Sequence, residues 1–132
     1  MNMFEDYMKE RYAMPLEDMQ KCYNMMMAEI EKDETGQYLY EKVVAQATAY
    51  ANYRAQWGLW DREAKTENDP LRSACHDSLI SKFDILARNL RKLGYTANWR
   101  DMLGDVEKDP VYRKRIGDFA CYIVFVNSLL AR

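Results

Sequence analysis

"DPLRSACHDSLISKFDILARNLRKLG", residues 69–94, carries the clearest periodicity in the chain: Leu79, Phe83, Leu86, Leu90 and Leu93 recur at three- and four-residue intervals and share one side of a helix. Proline tolerates the first helical turn, where its missing N–H costs nothing, and a preceding aspartate can cap the free donors. Asp69-Pro70 therefore predicts a helix start and Gly94 a stop, which places a helix over residues 70–93. A second such pair, Asp109-Pro110, predicts the start of a last helix with a core stripe of Tyr112, Ile116, Phe119, Ile123, Val126 and Leu130.

Upstream the same period continues. After Pro15, the residues Leu16, Met19, Tyr23, Met26, Met27 and Ile30 form one apolar stripe, which Thr35 and Gly36 are expected to break. From Tyr38, the residues Leu39, Val43, Ala47, Tyr50 and Trp57 form the next, ending at Gly58 or continuing beyond it with a kink. Phe4, Tyr7, Met8 and Tyr12 stand at helical spacing and predict a short additional segment. "YTANWRDMLGDVEKD", residues 95–109, predicts a long connection with a helical turn around Trp99 to Leu103. The expected fold is all-α: an antiparallel four-helix bundle with an extra N-terminal helical segment and a long connection before the last helix. It forms a single domain over residues 1–132.

Composition narrows the function classes. With 48 % apolar and 30 % charged residues, and only five Gly and three Pro, the chain has the balance of a helical globular protein rather than a disordered one. Its first residues lack a basic region followed by an apolar core, so no signal peptide is expected. The longest apolar run, "FACYIVFV" at 119–126, is too short to cross a bilayer, so no membrane association is expected. Cys22, Cys75 and Cys121 are odd in number and widely spaced, as befits reduced thiols in the cytoplasm. No paired Cys/His spacing for a metal and no Gly-rich phosphate loop occurs, so neither metal nor cofactor is expected. Residues 1–69 hold eight Lys/Arg against fourteen Asp/Glu, for −6, and residues 70–132 hold eleven against seven, for +4. Halves of opposite sign are expected to pack on one another, with a basic face for nucleic acid as the alternative.

The only histidine lies in Cys75-His76-Asp77. Consecutive helical residues point about 100° apart, so these three cannot form a local catalytic triad, and no catalytic residue is assigned. A wheel centred on Phe83 puts His76 about 20° to one side and Arg72 about 20° to the other, both inward. Arg54 and Asp61 fall on the inner face of the preceding helix, and in the last helix Arg115 intrudes on the core stripe while Asn127 flanks it. An antiparallel turn at Asn68-Asp69 would bring His76 level with Asp61, and an antiparallel last helix would bring it near Asn127. The expected polar cluster is therefore Arg54, Asp61, Arg72, His76 and Asn127. Its first reading is a structural network fixing helix register, with a ligand pocket or acid/base site as alternatives.

The last helix also carries Cys121, Val124 and Phe125 on the side away from its core stripe. Either the bundle wraps them or they form a homodimer or partner interface. Arg88, Arg100 and the run Arg113-Lys114-Arg115 read as a solvated face rather than a nucleic-acid site, because acidic residues are interspersed and no recognition motif frames them. Met25, Met26 and Met27 read as core filling, with an adaptable partner groove as the alternative.

The segments "WDREAKTENDPLRSACHDSLISKFDILARNL", "NWRDMLGD" and "RKRIGDFACYIVFVNSLLAR" resemble a family of small uncharacterised helical proteins from Gram-positive bacteria, often associated with mobile elements. The resemblance spans roughly residues 50–132. It implies a small helical cytoplasmic protein and supplies no catalytic residues. Taken together, the residues favour a non-enzymatic bundle acting by protein–protein interaction. The alternatives are a small-molecule binding protein or enzyme using the cluster around His76, and a nucleic-acid-associated accessory protein using the basic C-terminal half.

Overall fold

The computed structural model describes residues 13–104 and 111–130, and every regular element among them is an α-helix. In chain order these are α1 (Leu16–Ile30), α2 (Glu34–Trp57), α3 (Arg62–Lys92), the single turn α4 (Asn98–Asp101) and α5 (Tyr112–Leu130). The N-terminal segment expected over residues 3–12 and the expected cap at Asp109-Pro110 lie outside the described residues.

Asp33 starts α2, its Oδ2 accepting the Gly36 N–H at 2.6 Å. Gly36, expected to break the helix, is thus inside it and buried. A Cβ there would stand in ordinary contact with Leu90 Cδ2 at 3.5 Å and would crowd only the capping oxygen, at 3.2 Å.

The chain turns at Gly58, and α3 begins at Arg62, eight residues before Pro70. This corrects the expected start. Asp61 is a competent cap upstream, accepting the Ala64 N–H at 2.8 Å, and the helix nucleated there runs through Pro70. The proline is exposed and leaves the Thr66 carbonyl without its helical donor.

Helix directions follow from the pairings. Asp33 meets Asn89, Gln46 meets Cys75 and Ser78, and Tyr50 meets His76, so α2 and α3 are antiparallel. Tyr40 meets Asn127 and Arg54 meets Asp118, so α2 and α5 are antiparallel as well. It follows that α3 and α5 run parallel: Arg113 lies beside His76, and Phe119 lies 5.8 Å from Phe83 between ring centroids. The antiparallel arrangement expected for this pair does not occur, because the start of α5, not its end, lies level with His76.

That connection is pinned by Glu29 of α1, whose carboxylate accepts from Trp99 Nε1 at 3.0 Å and from the Ala97 N–H at 3.2 Å. Ala97 adopts the left-handed conformation (φ 47°), and the turn drives Trp99 fully into the core against Phe83. Leu79, Phe83, Leu86 and Leu90 are all buried, joined by Ile116 and Phe119 of α5 and by Met19 and Met26 of α1. Residues 116–123 are buried without interruption, so other elements enclose α5 over this stretch. Among the described residues, no helix is long and apolar enough to cross a membrane.

Candidate functional site

Three helices converge around His76. From α2 come Tyr50 and Arg54, one turn apart on the same face; from α3 come Arg72, Ser73 and His76, with Arg72 and His76 again one turn apart. Arg113 and Lys114 enter from the first turn of α5. Together they line a cavity of about 370 Å³, within the range of about 300–1,000 Å³ typical of small-molecule sites.

The imidazole of His76 is buried, 6 % exposed, with its Nε2 2.8 Å from the Arg113 carbonyl oxygen. A carbonyl only accepts, so this contact assigns the hydrogen to Nε2 and leaves Nδ1 as an acceptor. Nδ1 is buried with no partner. Burial lowers the His76 pKa below its ordinary value, the Arg113 carbonyl opposes this, and the nearby Arg113 and Arg72 charges reinforce it. The ring is therefore neutral at pH 7. Tyr50 packs edge-on against it, 5.2 Å between centroids, and burial pushes the Tyr50 phenol upward, so it too is neutral.

The charges around these neutral rings are unbalanced. Arg54 forms a close ion pair with the fully buried Asp118 at 2.8 Å, and Lys114 lies 3.9 Å from the other carboxylate oxygen. Arg113 pairs with Asp77 at 2.8 Å. Among the described residues, four cationic side chains thus face two carboxylates. Arg72 stacks on Trp57 with its guanidinium carbon 4.8 Å from the ring centre, and its Nε has no hydrogen-bond partner. The first turn of α5 has no acidic residue, although a helix N-terminus favours negative charge and disfavours cations by about 0.3–1 kcal/mol each. Three cations at such an end, Arg113, Lys114 and Arg115, are locally unfavourable, and departures of this kind concentrate at functional sites.

No family model, curated protein or solved structure matches this chain.

Of the cluster expected from the sequence, Arg54, Arg72 and His76 come together, and two members do not. Asp61 is the exposed N-cap of α3, and Asn127 sits at the far end of α5, donating to the Tyr40 hydroxyl at 3.0 Å and to the Ile123 carbonyl at 2.8 Å. Both displacements follow from register. The α2–α3 turn lies at Gly58 rather than Asn68-Asp69, which sets Tyr50 instead of Asp61 opposite His76. The parallel run of α5 then brings its start, not its end, to the same level. Arg113 and Lys114, read from the sequence as solvated surface, are the members that sequence reasoning left out.

Gly117 held the missing signal. A Cβ at this position would meet the Tyr50 hydroxyl at 2.8 Å, so glycine marks the place where α5 and α2 touch. The residues proposed as an interface are also located. Cys121 is buried, 3.6 Å from Arg54 Nη1, while Val124 and Phe125 are half-buried against the core. Arg88 is exposed, and Arg100 is bound to Asp84 at 2.7 Å. Among the described residues, no three His, Cys, Asp or Glu side chains gather as a metal-holding group.

Proposed function

We propose that this protein binds a small anionic ligand, of the phosphate or phosphate-ester kind, in the cationic hollow between α2, α3 and α5. The observation that carries the proposal is a hollow around which, among the described residues, Arg54, Arg72, Arg113 and Lys114 stand against only Asp77 and Asp118. A bound oxyanion would match the excess charge and restore the electrostatic preference of the α5 N-terminus. Binding is favoured over catalysis because His76 Nε2 is committed to a backbone carbonyl and the neighbouring Cys75 thiol accepts from Gln46 Nε2 at 3.1 Å. Titration calorimetry with inorganic phosphate at pH 7 tests the reading. Saturable binding is expected, weakened at least about tenfold by Arg72→Ala or Lys114→Ala, since hydrogen bonds to charged groups contribute about 1.5–3 kcal/mol. Absence of heat at millimolar phosphate would defeat it.

A second reading, association with a homodimer mate or another protein, is supported by the half-buried Val124 and the exposed Leu129 of α5. Sedimentation at micromolar concentration tests it: a dimer weakened by Val124→Asp supports the reading, and a monomer opposes it. Pairing of Arg91 and Arg100 with carboxylates weighs against a nucleic-acid partner, which would need a free basic stripe. Three buried, unpaired cysteines support a reducing compartment such as the cytoplasm.

A further inference from the structure

A second hollow adjoins the cationic one. It has a volume of about 310 Å³, with Trp57 and Pro70 forming walls and Lys65, Thr66 and Asp69 supplying polar groups. Arg72 joins the two, because it lines the cationic cavity while its guanidinium stacks on Trp57. An anion oxygen held by Arg72 would lie within about 9 Å of the indole centre, and since Arg72 covers one face of the indole, a planar ligand would use its other face or its edge.

The second hollow has its own irregularity. Pro70 stands in the interior of α3, where proline is disfavoured, and it frees the Thr66 carbonyl from its helical donor. Thr66 and Asp69 then offer acceptors beside an aromatic wall. Acceptors next to a π-surface suit a planar heterocycle that carries N–H donors.

Resting on the anion-binding reading, we infer that the ligand is a nucleoside monophosphate. Its phosphate occupies the hollow of Arg72, Arg113 and Lys114, and its base lies against Trp57, with the edge toward Thr66 and Asp69. Among the described residues, the excess of two positive side chains matches a phosphate monoester dianion. The indole selects for a base over a plain sugar phosphate.

The test compares inorganic phosphate, ribose 5-phosphate and the four common nucleoside 5′-monophosphates by titration calorimetry on the full chain. Nucleotides are expected to bind roughly 10- to 100-fold more tightly than ribose 5-phosphate, the gain that base–aromatic stacking provides. Trp57→Ala should remove that advantage, and because it also takes away the ring on which Arg72 stacks, the deciding readout is the ratio of nucleotide to ribose 5-phosphate affinity, which on the unmodified chain needs no variant. Equal affinity for ribose 5-phosphate and all four nucleotides would overturn the nucleotide inference and leave the anion site standing. Failure of all six ligands to bind would remove both.

Discussion

Replacing Gly117 by alanine tests the seam that forms the site. The added Cβ would stand 2.8 Å from the Tyr50 hydroxyl oxygen, 3.0 Å from Cε2 and 3.2 Å from Cζ. Tyr50 cannot simply swing aside, since it is 2 % exposed, packs edge-on against His76 and lies beneath Arg54, whose guanidinium is 5.7 Å from its ring centre. Forcing a methyl group into such a contact typically costs about 1–3 kcal/mol. With a urea dependence of about 2 kcal/mol per molar, the unfolding midpoint should fall by roughly 0.5–1.5 M without a change in slope. Tyr50→Phe removes the nearest of the three atoms but leaves the other two. The double variant should therefore be more stable than the sum of the single effects predicts by about 0.5 kcal/mol or more. Phosphate affinity should drop in parallel, because Tyr50 lines the cavity. A Gly117→Ala protein within about 0.5 kcal/mol of the parent, or strict additivity in the double variant, would refute this placement of α5 on α2.

Other perturbations separate the fold's supports. Burial holds the folded-state pKa of His76 below its unfolded value of about 6.5, so the fold carries fewer protons than the unfolded chain at acid pH. This contribution is present above pH 6.5 and is lost as pH falls through the folded pKa. Denaturation curves between pH 7 and 5 should show that decline, and His76→Gln should flatten it. Glu29→Ala strips the acceptor from Trp99 Nε1 and from the Ala97 N–H, and a loss of about 1–3 kcal/mol in chemical denaturation is expected. Asp118→Ala leaves Arg54 buried without its ion partner and should cost about 3–5 kcal/mol, whereas the double replacement Arg54→Met with Asp118→Leu should recover much of that loss.

Local signals in the chain are reliable where one element decides the outcome. Of the expected stripe, Leu79, Phe83, Leu86 and Leu90 form the core side of α3 while Leu93, just past its end, is exposed, and the inward direction of His76 and Arg72 follows from the same wheel. Asp69-Pro70 misleads because a cap signature carries no information about a competing cap upstream, and Asp61 is that competitor. The partners of His76 depend on two longer-range facts: where the α2–α3 turn falls, and which way the chain returns before α5. Neither leaves a trace in periodicity. Arg113 and Lys114 are exposed, as ordinary surface would be, and only the parallel run of α5 shows that they stand at the rim of the hollow.

The most direct measurement is a phosphate titration followed by the arginine Nε–H signals in a ¹H–¹⁵N spectrum at neutral pH. Arg72 Nε–H should shift saturably, with the Arg113 signal moving along the same isotherm, while that of the exposed Arg88 stays in place. An Arg72 signal indifferent to phosphate, or small unsaturating shifts of all arginines alike, would contradict the assignment of this hollow as an anion site.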